Sequence, residues 1–217
     1  MHINEHNRVM QLGWSVADVQ RKSLPLYYIF WTTMINLLFA IVGLILTFPI
    51  LFFCAVFIKL DSKGPIFFYQ KRVGLNGKQF TIIKLRTMIE AAEKNGQRWA
   101  SVNDPRVTKV GAILRKYRLD ELPQFINVIK GDISLIGPRP EVPELTKRFT
   151  EHNSSFIYRL QVKPGITGWA QVNGGYDLSP DQKLKYDMEY INNIGIAMDA
   201  KIIVHTIRVL FTGDGAR

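Results

Sequence analysis

The sequence holds a single cysteine, Cys54, so no disulfide can form within the chain. The residue lies in an apolar run, where it reads as a small buried hydrophobe in a reducing compartment. None of the four histidines (His2, His6, His152, His205) stands at a metal-ligand spacing such as H-x-x-x-H. Without a cysteine cluster there is no pattern for a zinc site, which leaves open only a hard metal held by carboxylates and phosphates. The chain lacks both the G-x-x-x-x-G-K-[ST] loop and the G-x-G-x-x-G turn, which argues against a nucleoside triphosphatase or a dinucleotide site. No internal repeat or low-complexity tract suggests an array. Acid is scarce: 18 Asp and Glu stand against 28 Lys and Arg, a net charge of +10. That excess calls for an anionic partner, which could be nucleic acid, an anionic lipid surface or a phosphorylated small molecule.

Charge is absent altogether from residues 29–58. At about 1.5 Å per residue this stretch, as a helix, is longer than the ~30 Å hydrocarbon core requires, so it is a membrane segment. It starts too late and lacks the cleavage pattern of a signal peptide, so retention is expected. Two features disturb a plain span. Pro49 removes a backbone hydrogen bond and disfavours helix at Phe48. Basic residues flank both ends, with Arg21 and Lys22 before and Lys59, Lys63, Lys71 and Arg72 after, whereas a single span concentrates them on one side. Both fit a helix that enters one leaflet, breaks near Pro49 and returns to the same face; a kinked span is the other reading. Residues 1–28 read as an N-terminal tail with an amphipathic stretch carrying Trp14, Val16, Leu24, Tyr27 and Tyr28. A long membrane segment without a nucleic-acid motif argues against nucleic acid as the partner.

Beyond the apolar run, "FFYQKRVGLNGKQFTIIKLRT" predicts two strands around a turn at Asn76 and Gly77. Period two puts Lys84 and Arg86 on one face of the second strand. Residues 88–98 predict a polar helix or loop. "DPRVTKVGAILRKYR" has Val107, Val110, Leu114 and Tyr117 at helical spacing, with cations on the other side. "DELPQFINVIKGD" restarts helix with Asp120 as the cap and Pro123 in the first turn. A rigid Pro138-Arg139-Pro140 loop follows, and the chain ends in an apolar helix around residues 199–211. The expected fold is α+β: a tail at 1–28, a membrane helix at 29–60, re-entrant or a kinked span, and a compact, mostly helical domain with a β-hairpin at 61–217.

Asp120 and Glu121 form an acidic pair in a basic neighbourhood. Helix capping alone accounts for such a pair. The same physics gives a second reading, in which a carboxylate kept ionised by cations serves as a nucleophile or metal ligand. Lys84, Arg86, Arg115 and Arg139 supply a ring suited to phosphate oxygens, with Mg²⁺ bridging carboxylate and diphosphate.

"KLRTM" (84–88), "LDELPQFINVIKGDISLIGPRP" (119–140) and "VKPGITGWAQVNG" (162–174), behind an apolar segment running into "KGPIFFYQKRVG", closely resemble the bacterial sugar transferases known as small monotopic phosphoglycosyl transferases. The resemblance covers nearly everything after residue 29. It implies transfer of a sugar phosphate from a nucleoside diphosphate sugar, usually a UDP-sugar, to polyprenol phosphate, with release of UMP. That is the first membrane step of glycoconjugate or exopolysaccharide assembly, at the cytoplasmic face of the bacterial inner membrane. By the resemblance Asp120 is the nucleophile and forms a covalent phosphosugar, Glu121 assists through Mg²⁺ or a proton, and both serve the metal. Lys84, Arg86, Pro138 and Arg139 would hold phosphate or nucleotide, and Arg115 would orient the pair. The resemblance also implies a re-entrant helix, and the sequence leaves room for a homo-oligomer. Two positions depart from the family pattern: Phe48 precedes Pro49 where a Ser is common, and Arg118 stands where relatives carry a small hydroxyl residue. The rival reading is a non-catalytic membrane-anchored scaffold that binds anionic lipid through its basic face.

Overall fold

The computed structural model describes residues 23–90 and 104–212. Most of the expected amphipathic tail and of the polar segment at 88–98 lies outside them. The architecture is α+β, with a long apolar helix at its start and two small sheets among shorter helices.

Helix α1 runs Leu26–Asp61, and its 36 residues span about 54 Å if straight. It is long and apolar enough to cross a membrane. The break expected near Pro49 does not interrupt it, for Pro49 lies inside one helix. A bend, rather than an interruption, is what the proline can impose here. The Thr47 hydroxyl donates to the Gly43 carbonyl at 2.6 Å, so a hydroxyl near the proline does cover a helical carbonyl although Ser is absent.

One side of α1 meets the rest of the protein along nearly its whole length. The Tyr28 hydroxyl donates to Asp199 at 2.6 Å, and Asn36 accepts from the Leu135 N–H at 3.2 Å. Ala40 enters a core with Phe80, Ile82, Val128 and Ile133. Cys54 and Ile58 enter another with Leu85 and Leu114. The Asp61 carboxylate accepts from the Val110 N–H at 2.9 Å. Elsewhere the helix is bare: Phe30, Trp31, Leu46, Phe48, Phe53 and Leu60 are all exposed.

Strands β1 (Phe67–Val73) and β2 (Gln79–Leu85) form the expected antiparallel hairpin, pairing Phe67 with Leu85 and Val73 with Gln79. Its turn has Asn76 at φ 52° and Gly77 at φ 77°, the left-handed pair that an Asn-Gly sequence favours. Helix α2 is Lys109–Lys116, shorter than the pattern suggested, and Thr108 caps it by accepting from the Gly111 N–H. Tyr117, assigned to the buried stripe by spacing, is 57% exposed because the helix has already ended.

The chain then turns through a 3-10 segment, Leu119–Gln124, into the short helix α3, Phe125–Ile129. Strands β3 (Ser134–Ile136) and β4 (Gly165–Thr167) pair in parallel. Gly137 and Gly165 lie so close beside this pair that a Cβ on either would strike the other's backbone. Between them come α4 (Pro143–His152) and a further 3-10 segment, Ser154–Gln161. Helices α5 (Trp169–Val172), α6 (Pro180–Asn192) and α7 (Ile196–Thr212) complete the fold.

Asn127, fully buried on α3, ties this helix to β2. Its Oδ1 accepts from the Ile83 N–H at 3.0 Å and its Nδ2 donates to the Thr81 carbonyl at 2.7 Å, so one side chain takes the place of a neighbouring strand. Asn127→Leu leaves both backbone groups unpaired and should cost about 2–4 kcal/mol of stability, read as a lowered Tm in detergent.

Candidate active site

Three elements bring the site together: the end of β2, the 3-10 segment Leu119–Gln124, and the turn at Pro138-Arg139-Pro140. The first two are held in register by Asn127, and the third leaves directly from β3. Gly137 and Gly165 extend the β3–β4 contact, with Gly137 donating to the Thr167 carbonyl at 2.9 Å and Gly165 to that of Pro138 at 3.0 Å.

The acidic pair is not a helix cap. Arg118 precedes the segment in the left-handed region, φ 54°, and its N–H donates to the Arg115 carbonyl at 3.1 Å. This is the position after a helix where glycine usually closes the chain. Asp120 therefore sits inside a tight 3-10 turn, where no side-chain cap hydrogen bond forms. Helix proper restarts only at Phe125.

Glu121 accepts from Lys84 Nζ and from Arg139 Nη2, both on Oε1 and both at 2.7 Å. These side chains are largely buried, with exposures of 11% for Glu121, 13% for Lys84 and 17% for Arg139. Burial alone would raise the Glu121 carboxyl, but the charges and hydrogen bonds of Arg139 and Lys84 hold it well below the usual carboxylate range. Asp120 is equally buried and receives no hydrogen bond on its carboxylate among the described residues. Burial pushes its carboxyl above the usual range, the Glu121 charge adds to that push, and Lys84, Arg115 and Arg139 only partly oppose it. The cations thus keep Glu121, not Asp120, firmly ionised. Asp120 is left as the more basic carboxylate with unshared oxygens, which suits attack on an electrophile.

The other expected site residues divide. Arg115 donates to the Thr87 hydroxyl at 2.8 Å and adds positive charge near Asp120. Pro138 is buried, and its carbonyl is used by Gly165. Arg86 does not join the ring. Its guanidinium donates to the carbonyls of Lys63 at 2.6 Å and Ser62 at 2.7 Å, to the Ser62 hydroxyl at 3.0 Å, and to the Ile58 carbonyl at 3.3 Å. It caps the C-terminus of α1, with its guanidinium turned to that helix end and not to Glu121. Lys84 and Arg86 lie on one strand face by spacing, but β2 ends at Leu85 and the two side chains serve different neighbours. Sequence reasoning passed over Asn127, which holds β2 against α3 and so sets Lys84 against Glu121. Its signal, a lone Asn in an otherwise apolar helical stripe, was there to be read.

Among the described residues no three His, Cys, Asp or Glu side chains gather as a metal-ligand set. Of the pair, Asp120 is the carboxylate with unshared oxygens that would hold a divalent cation, and phosphate oxygens and water would have to fill its remaining positions. Glu121 is the poorer ligand because Lys84 and Arg139 already share its Oε1.

A family model described as bacterial sugar transferase matches residues 27–213. A UDP-N-acetylgalactosamine-undecaprenyl-phosphate N-acetylgalactosaminephosphotransferase of Aeromonas hydrophila is 44% identical over 193 residues, covering 88% of this chain and 46% of that protein. An uncharacterized sugar transferase of Bacillus subtilis is 40% identical over 81% of this chain and 85% of its own length. A UDP-glucose:undecaprenyl-phosphate glucose-1-phosphate transferase of Escherichia coli is 39% identical over 83% of this chain and 40% of its own. The chain thus spans less than half the length of two of these relatives.

Proposed function

We propose, for a chain that belongs to the bacterial sugar transferase family, that it moves a sugar phosphate from a UDP-sugar to polyprenol phosphate through a covalent intermediate on Asp120. The observation that carries this reading is the division of labour in the acidic pair: Glu121 binds two cations through Oε1, while Asp120 keeps a carboxylate of raised basicity with no hydrogen bond among the described residues. In the first displacement an Asp120 oxygen attacks the β-phosphorus, the bond from that phosphorus to the bridging oxygen breaks, and UMP leaves with the electron pair. In the second, an oxygen of polyprenol phosphate attacks the same phosphorus, the Asp120–phosphorus bond breaks, and the carboxylate is restored with polyprenyl diphosphate sugar formed. Lys84 and Arg139, fixed by Glu121, face the charge on the phosphoryl oxygens. Mg²⁺ held by Asp120 and the diphosphate would neutralise charge on the leaving group.

The contacts along α1 support a membrane helix whose two ends lie at one face. A domain that touches Tyr28, Asn36, Ala40, Cys54, Ile58 and Asp61 could not sit wholly in water if α1 crossed the bilayer upright. A shallow, bent helix puts Asp120 near the headgroup plane, where a water-soluble donor and a lipid acceptor can meet, and the cytoplasmic face of the inner membrane is where UDP-sugars are found. In a Cys54→Ala background, single cysteines replacing Ser23 and Lys63 should both react only with reagent on the cytoplasmic side. Labelling of residue 23 from the periplasm would establish a true span.

The activity test is release of UMP when the purified protein meets Mg²⁺, polyprenol phosphate and a panel of UDP-sugars. At least one donor should give UMP; none doing so favours a lipid-binding scaffold. The pH profile tests the site itself. Activity requires ionised Asp120, whose carboxyl is raised, so the acid limb should lie above the ordinary Asp range. Lys84 lowers that carboxyl, so Lys84→Met should move the limb to still higher pH, and a move to lower pH would contradict the assignment.

A further inference from the structure

Behind the Pro138-Arg139-Pro140 turn lies a second buried charge cluster that no sequence motif marks. Arg159, in the 3-10 segment Ser154–Gln161, donates Nε and Nη2 to Asp187 Oδ2 at 2.9 and 2.6 Å. The two side chains are 3% and 1% exposed. The same Nη2 donates to the main-chain carbonyl of Arg139 at 2.9 Å. From β1, Arg72 Nη1 donates to the next carbonyl, that of Pro140, at 3.0 Å. Glu141 lies between Arg72 at 4.0 Å and Lys183 at 3.5 Å. Two guanidiniums therefore grip consecutive carbonyls of the turn, one of them locked from α6 by Asp187.

Buried ion pairs of this kind add little net stability over apolar side chains of the same volume, because desolvation offsets the attraction. Their geometric effect is definite. The grip fixes the main chain from which the Arg139 side chain reaches Glu121 at 2.7 Å. An apolar replacement would fill the space and leave the turn free to shift, and a shift of about 1 Å at a catalytic group costs up to about 100-fold in rate.

We propose that Asp187 and Arg159 are positioning residues for the acidic pair, holding the Arg139 main chain so that its guanidinium meets Glu121. This rests on the reading of Asp120 and Glu121 as the phosphoryl-transfer site. Neither residue touches substrate; both act through Arg139.

The test is a double-mutant cycle in the full chain, with thermal melting to verify folding. Asp187→Asn should lower kcat about 10-fold while the donor KM changes less than about 2-fold. In an Arg139→Ala background the same substitution should change kcat less than about 2-fold, because the side chain it positions is gone. A full 10-fold loss persisting in that background overturns the proposal, since a general structural role would be additive. Arg159→Lys keeps the charge without the fork that reaches both partners, and it should behave like Asp187→Asn; it serves also if that variant does not fold. If the wild type releases no UMP from any donor, the enzymatic reading fails separately. The positioning claim is then decided by ¹⁵N NMR of labelled Arg guanidiniums, with the Arg139 signal assigned through Arg139→Ala. That signal should move in the same direction in Glu121→Gln and in Asp187→Asn, and an unmoved signal in Asp187→Asn overturns the proposal.

Discussion

Asp120→Asn is expected to reduce UMP release by about 10³-fold or more and to abolish the covalent sugar-phosphate adduct seen by mass spectrometry of protein quenched with donor alone. The amide keeps the shape of the carboxylate but offers no anionic oxygen to attack phosphorus. Folding should be untouched or slightly improved, because a buried carboxyl with no hydrogen-bond donor aimed at it gains nothing from being charged. Glu121→Gln should behave differently. It leaves the nucleophile in place but removes the anion shared by Lys84 and Arg139, two largely buried cations. The expected result is a smaller loss of rate together with a lower Tm, since uncompensated buried charge is expensive. Adduct formation by Asp120→Asn would remove this residue from the mechanism.

Arg86→Met is expected to lower stability by about 2–3 kcal/mol, with little change in the donor KM of whatever protein remains folded. The Ile58 carbonyl also accepts from the Ser62 N–H, but Arg86 is the donor to the carbonyls of Ser62 and Lys63, just past the end of α1. Methionine fills part of the volume and leaves those carbonyls to water that must enter beside Gly64, which the guanidinium already crowds. Thermal unfolding in detergent and steady-state kinetics separate this role from a substrate-binding one. A large rise in donor KM at unchanged Tm would return Arg86 to the phosphate ring.

The long apolar helix, the Asn-Gly hairpin and the acidic pair were legible in the sequence because each depends on neighbours within a few residues: an uncharged run, a turn that needs positive φ, two adjacent carboxylates. The destinations of the cations were not. Lys84 and Arg86 stand two residues apart, which alternation would put on one strand face, yet β2 ends between them and one meets Glu121 while the other meets the end of α1. That choice is made by segments that lie 37 and 23 positions away. The capping role of Asp120 failed for a local reason that spacing could not reveal. Arg118 takes the left-handed conformation without being glycine, so the chain closes α2 and enters a 3-10 turn instead of starting a new helix. Arg159 and Asp187 belong to no acidic or basic pattern, and only the fold brings their charges behind residue 139.

The hydrogen bond from Tyr28 to Asp199 joins residues 171 positions apart. At synthesis rates of about 5–20 residues per second, the tyrosine waits roughly 10–35 s before its partner is made. During that interval the apolar helix already exists, while the segments carrying Leu135, Val128 and Leu114, which cover its inner side, arrive one after another. An apolar helix of this length without its protein cover favours a bilayer, so insertion is expected to precede folding. The order of the chain would thereby make a membrane a participant in assembly.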